Sequence, residues 1–312
     1  MKKVIALVLA LSLVIGGAVL FTSCSKDNAE DTTTTTAAPV ETTLADETTT
    51  LADETTTLAD GTTTLADETT TLAEDESTSA EEKKVPETKE EILAAYTAVM
   101  NQAKKDAPAF NKIEYQALPG DENSRVITKG KTLVNIVLGV AENFFTTEEN
   151  ATVEVKEKGN EMRSWPLIKA PVGCALTDVS AIKSAKCEVL ANGNYRITIV
   201  LNSEKNPEPI AEGATTAPSK TGAMFSPLSK KDIDTTLTED GIVTAVIKDV
   251  TYSLTYHDCT AVLEYDPETN HVVSLEQVMW VAISGAGKVT GMSFEIEKQE
   301  LKNTMKIYNV KY

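Results

Sequence analysis

After Pro86, apolar residues recur at spacings of three and four, at Ile92, Leu93, Tyr96, Val99, Met100 and Ala103, and this period predicts a helix over 87–105. Glu87, Glu90 and Glu91 fall in its first turn and Lys104 and Lys105 near its end, so each charge sits at the pole of the helix dipole that favours it. A second stretch, Leu133, Ile136, Val137, Val140, Ala141 and Phe144, keeps the same period with more apolar flanks and reads as the more deeply buried helix. Ser229 to Asp232 fits an S-x-x-[DE] helix start leading into Ile233 and Leu237.

Elsewhere the period is two. Tyr195, Ile197, Ile199 and Leu201 alternate with Arg196 and Thr198; Cys259, Ala261, Leu263 and Tyr265 with Thr260 and Glu264; Met292, Phe294 and Ile296 with Ser293, Glu295 and Glu297. Strands of this kind have one dry and one wet face, as in antiparallel sheets. Asn192-Gly193 is a hairpin signal. Asp266 to Asn270 and Ser284 to Gly287 read as further turns, which makes the end of the chain a meander of four strands with Tyr265 opposite about Val272. No strand-helix-strand alternation occurs, which disfavours Rossmann-type and periplasmic solute-binding folds. The expected class is α+β: a curved, mostly antiparallel sheet with two or three helices packed on one face, in a single globular domain over residues 86–312.

Before residue 86 the pattern changes twice. Lys2 and Lys3 precede an apolar run from Val4 to Phe21, followed by Thr22-Ser23-Cys24, which reads as an export signal. The stretch resembles a bacterial lipoprotein signal, in which the cysteine thiol receives a diacylglycerol group and becomes the first mature residue. The resemblance implies a signal peptide over 1–23 and lipid attachment at Cys24; it departs from the family at Phe21, where Leu, Val or Ile is usual. The competing reading is an uncleaved membrane helix, because the apolar run approaches the roughly 20 residues that span a bilayer. Both readings export the chain and hold it at a membrane. Each buried methylene contributes about 0.8 kcal/mol, so two acyl chains anchor stably where one is marginal.

From Thr42 the chain repeats every seven residues, Thr-Thr-Leu-Ala-Asp-Glu at 42–47 and then Thr-Thr-Thr-Leu-Ala-Asp-Glu from Thr48, with Gly61 replacing Glu in one copy and Glu74-Asp75 varying the last. A coiled-coil seam needs two large apolar positions per heptad, whereas each repeat offers one Leu beside one Ala. Consecutive Thr residues also disfavour helix through restricted side-chain rotation. The segment 24–85 therefore reads as a disordered tether with an r.m.s. reach of roughly 45 Å, extended further by its charge.

The whole chain has 29 Lys+Arg against 47 Asp+Glu, a formal net charge of −18, and residues 25–85 alone hold 16 acids and 3 bases. Such a balance repels a phosphate backbone and argues against a nucleic-acid partner. Two His and four Cys are too few for a His-rich metal site, so no metal or other cofactor is expected. Tyr256-His257-Asp258-Cys259 juxtaposes three catalytic residue types, but strict strand alternation puts His257 and Cys259 on one face and Asp258 on the other, which breaks any relay. Gly285-Ala286-Gly287-Lys288 lacks the spacing and the Ser or Thr of a P-loop, and its glycines read as turn residues. Asp232-Ile233-Asp234 opens like a calcium loop, yet Leu237 stands where glycine is required and Val243 where the bidentate Glu belongs. With Cys24 lipidated, Cys174, Cys187 and Cys259 are odd in number; a Cys174–Cys187 bridge contributing about 3 kcal/mol is open, but Cys187 has the parity of a core residue. Cys259 reads as core.

Two apolar loop segments are the candidates for lining a cavity mouth: Trp165-Pro166-Leu167-Ile168, and Met224-Phe225 within the Pro-rich irregular stretch 203–228. Plain core packing is the other reading of each. Over 87–128, Tyr96-x-x-x-Met100-Asn101-x-Ala103-Lys104-Lys105 followed by Pro108, Phe110 and Lys112 resembles a group of surface lipoproteins with Thr-rich linkers from low-GC Gram-positive bacteria, for which no activity is assigned. At the level of fold, one-sided strands under apolar helices are similar to the half-barrels of lipoprotein carriers and glycolipid-binding lipoproteins, whose concave sheets hold acyl chains. The expectation is a non-enzymatic, membrane-tethered extracytoplasmic protein, with no catalytic residues. It either holds an apolar or amphipathic ligand between sheet and helices, near Trp165, Met224 and Phe225, or has a filled core and meets an envelope protein or polymer.

Overall fold

The computed structural model describes residues 84–142, 145–239, 245 and 247–312. The export signal, Cys24 and the heptapeptide tether lie outside the described residues, as do Phe144 and the side chains of Val140 and Ala141.

The first of the described helices, α1, spans Lys89–Asp106. Thr88 caps it: its hydroxyl accepts from the Glu91 amide at 3.2 Å while the Glu91 carboxylate accepts from the Thr88 amide at 3.1 Å. Two of the amides that a helix start leaves unpaired are thereby satisfied. Its buried stripe is Ile92, Leu93, Tyr96, Val99, Met100 and Ala103, the six residues whose spacing predicts it. It is followed by β1 (Ala109–Ala117), β2 (Arg125–Lys129), α2 (Lys131–Glu142), β3 (Glu154–Lys156), β4 (Ile182–Val189), β5 (Tyr195–Leu201), β6 (Glu204–Lys205), α3 (Lys230–Glu239), β7 (Ile247–Asp266), β8 (His271–Val289) and β9 (Met292–Lys311). The Ser229 hydroxyl accepts from the Asp232 amide at the start of α3, where the S-x-x-D pattern placed a helix.

The described strands form one open sheet in the order β3-β1-β9-β8-β7-β5-β4, with β2 pairing β9 and β6 pairing β7, and every pairing is antiparallel. The α+β class holds. Tyr265 pairs with Val272, and β4 turns into β5 through Gly193 at φ 85°, as the sequence pattern predicts.

The end of the chain differs from the expected four strands. It is three strands of 20, 19 and 20 residues, and Ser284 to Gly287 run straight through β8. The reversal comes later, at Thr290 (φ 48°) and Gly291 (φ 85°), a two-residue turn with both residues left-handed. Gly285 and Gly287 serve close approach instead: a Cβ on Gly287 would lie 2.9 Å from Phe294 Cε1, and one on Gly285 2.9 Å from the Thr251 carbonyl oxygen. Clustered glycine marks a turn and a tight strand crossing with the same composition.

The three described helices, α1, α2 and α3, occupy one face of the sheet. Along β8, Leu275, Gln277, Val281, Gly285, Gly287 and Val289 share a side by alternation, and it is this side that the helices cover. The main core gathers under α1, with Tyr256, Leu263, Leu275 and Leu301 from the sheet and Ile233 from α3. A separate small core lies at the other end, where Leu133, Val134, Val137 and Leu138 of α2 meet Val289 and Phe294. The order of burial of the two helices is the reverse of the expected one, since Ile136 on α2 is 42% exposed while the α1 stripe is at most 4% exposed. The cause is position: α2 covers only the narrow tip of the meander. Cys174, Cys187 and Cys259 are free thiols, the first and last buried.

Candidate functional site

Trp165, Met224 and Phe225 sit at zero exposure in the main core. Trp165 meets Phe110 edge to face, with ring centroids 5.2 Å apart, and Leu167, at φ 58°, turns into a separate small cluster with Ala170 and Ile210. The Met224 carbonyl accepts from Gln277 Nε2 at 3.0 Å, and that amide reaches the buried Tyr96 hydroxyl at 3.3 Å. The three side chains plug the space between the irregular segments and the sheet; they are packed as core and do not stand at a mouth. The indole N–H of Trp165 has no partner, as is also true of Gln116 Nε2 and Thr304 Oγ1 among the described residues. Cys24 lies outside them.

On the face opposite the helices, the most organised group among the described residues centres on His257. Asp258 has φ 47° and the β7–β8 register slips between His257 and Thr260, so a bulge interrupts alternation there. The sequence expectation for this tetrapeptide is therefore corrected. His257 and Asp258 share the outer face, whereas Cys259 is buried with Tyr256 on the inner one. His257 Nδ1 lies 3.0 Å from Asp258 Oδ2 and Nε2 lies 3.0 Å from Glu300 Oε2. Asp258 also accepts from Lys183 at 2.8 Å, and Lys298 Nζ lies 3.4 Å from Glu300 Oε1. Partial burial opposes charge on the imidazole, but the hydrogen bonds to Asp258 and Glu300 and the charges of both outweigh it and raise its pKa above the ordinary value. Lys183 foremost, then His257, holds the Asp258 carboxyl below its usual range. Trp280 of β8 lies between His257 of β7 and Lys302 of β9: the imidazole stacks on the ring at 6.5 Å, and Lys302 Nζ is 5.5 Å from the ring centroid.

This arrangement lacks the parts of a catalytic relay. Each imidazole nitrogen faces a different carboxylate, and the only nearby thiol, Cys259, points away with its pKa pushed up to about 12 by burial. The same geometry does not make a metal cage, and no three His, Cys, Asp or Glu side chains among the described residues form one.

A second feature is an open cleft of about 690 Å³ beside the β7–β8 turn. Gln102 and Asp106, one helical turn apart on α1, form one wall; Asn270 and His271 from the turn form another; Lys158 and Tyr312 complete it. The rings of His271 and Tyr312 stack with centroids 3.7 Å apart and planes 2° from parallel. Tyr312 is fixed further because its hydroxyl accepts from the Val272 amide at 2.8 Å. Burial, with the Asp106 charge adding to it, raises the Tyr312 phenol to about 12, so it stays neutral and able to donate. The Lys158 loop is tied to the end of α1 by Gly159 N donating to the Ala107 carbonyl at 2.7 Å and Asn160 Nδ2 to the Pro108 carbonyl at 3.0 Å.

Neither group was named as a site by the sequence pattern. Trp280 was hidden because β8 carries apolar residues on both faces there, with Val278 and Ala282 outside and Met279 and Val281 inside. The cleft draws its residues from four separate stretches of chain, which no local motif reports. No protein family, curated protein or solved structure matches the chain.

Proposed function

We propose that the protein is an extracytoplasmic lipoprotein, tethered through Cys24 and an acidic Thr-rich linker, whose folded domain is a non-enzymatic interaction module. It meets an envelope protein or polymer with the sheet face opposite the helices and carries no lipid between sheet and helices. The supporting observation is the complete burial of Trp165, Met224 and Phe225. A carrier of acyl chains would need those side chains to stand around a space, whereas here they occupy it. Support for the docking role of the outer face comes from Trp280, partly exposed and set among His257, Glu300 and Lys302.

The intact protein, purified from membranes in detergent, tests this directly. Organic extraction and mass spectrometry should release no non-covalent lipid in molar proportion to the chain; stoichiometric lipid overturns the filled-core reading in favour of a carrier. A photo-crosslinking residue in place of Glu276 on the outer face should capture an envelope component, while one in place of Ile136 on α2 should not. Cys24→Ala should shift the protein out of the membrane fraction, and its undiminished retention there overturns the acyl-anchor part alone.

A further inference from the structure

We propose that the cleft formed by Gln102, Asp106, Lys158, Asn270, His271 and Tyr312 is a binding site for a neutral saccharide. Its volume, about 690 Å³, falls in the range of small-molecule sites. Its chemistry narrows the class. A pyranose presents a flat patch of C–H groups edged by hydroxyls, and each hydroxyl both donates and accepts. The first needs a rigid aromatic surface and the second a mixed set of donors and acceptors.

The cleft holds both. The stacked pair His271–Tyr312 is held by a backbone amide on Tyr312, so little ordering entropy is lost when a ligand packs on it. Gln102 Nε2 donates to Asp106 Oδ1 at 2.7 Å, which orients the Gln102 carbonyl oxygen and leaves Asp106 Oδ2 as a further acceptor. Asn270 offers a side-chain amide, and Lys158 supplies a cationic donor from a loop anchored to α1. One carboxylate against one ammonium leaves no excess charge to select a phosphate or a polycation. A long apolar ligand would leave these polar groups buried without partners. The inference concerns the inner edge of the fold and is independent of what docks on the outer face.

The test uses the full-length protein in detergent with three linear trisaccharides: cellotriose, triacetylchitotriose and maltotriose. Saturation-transfer NMR should show contact with at least one of them, and calorimetry should return a weak dissociation constant, about 0.1–1 mM, as expected for a small, open polar site. Gln102→Ala, at a half-buried position of α1, should weaken binding about fivefold with only a small change in the thermal midpoint, the loss of one i,i+4 hydrogen bond. Tyr312→Leu should weaken it about tenfold or more, while Tyr312→Phe, which keeps the ring but releases the Val272 amide, should weaken it clearly less. Absence of transfer from all three sugars overturns the proposal, and so does binding that survives both Gln102→Ala and Tyr312→Leu unchanged.

Discussion

The strands β7, β8 and β9 run beneath two cores of very different size. Near the Asp266–His271 turn they lie under α1 with Trp165, Tyr96, Tyr256 and Phe225, each less than 2% exposed. Near the Thr290–Gly291 turn the element that covers the same strands, among the described residues, is α2, and the buried set there is Leu133, Val134, Val137, Leu138, Val289 and Phe294. Backbone pairing runs from one end to the other, interrupted only by local register shifts such as the one between His257 and Thr260. What differs is the layer above it, and local stability follows that layer, because hydrogen bonds of a ladder exchange for water at little net gain while buried apolar area does not. The tip beneath α2 should therefore open without unfolding the rest.

The largest effect tests the main core. Trp165→Ala removes the largest fully buried side chain and should cost about 3–5 kcal/mol, seen as a shift of the whole urea transition. A smaller cost than that of any change at the tip would invert the comparison. Next, Gly287→Ala drives a Cβ into the Phe294 ring and should cost about 1–3 kcal/mol. Hydrogen exchange should then show α2 and residues 292–296 losing protection while β5 keeps it; uniform loss along β8 would mean that the two cores act as one. Thr304→Val should stabilise by about 0.5–1 kcal/mol, since Thr304 is 1% exposed with an unpartnered hydroxyl and the replacement keeps its shape. Chemical denaturation of the two forms side by side resolves this, and destabilisation would show that the hydroxyl is satisfied in solution.

The smallest effect depends on pH. The raised pKa of His257 means that its pairing with Asp258 and Glu300 contributes fully below the ordinary histidine range, near pH 6.5, and that the contribution fades as pH rises through the higher folded value. Glu300→Gln should flatten that dependence, and an NMR titration of the imidazole should move toward the ordinary value. A titration that ignores the substitution would remove Glu300 from the account. The tip under α2 should be indifferent to this change.

The sequence is most legible where one face is wet and the other dry. All six buried positions of α1, and the alternating burial of Tyr195, Ile197, Ile199 and Leu201 in β5, follow from spacing alone. It is least legible where one extra residue or a long-range neighbour decides. Alternation through Tyr256-His257-Asp258-Cys259 fails because a bulge turns Asp258 to the outer face, and nothing local to the tetrapeptide announces it. The glycines of β8 read as a turn because the ring that requires them, Phe294, belongs to the next strand. Trp165 and Met224-Phe225 look like free loops because the surfaces that bury them, such as Phe110 and Gln277, lie more than fifty residues away.

At the outer rim of the sheet, the ammonium of Lys89 donates to the carbonyl oxygens of Ile182 at 2.7 Å and Lys183 at 3.2 Å. A bare rim of this sort invites a neighbouring polypeptide to zip on and propagate into fibres. With two of its acceptors already engaged by a charged donor, and Lys183 and Lys186 fringing the same border, another molecule gains little by aligning there. Copies brought close together can therefore stay separate along this border.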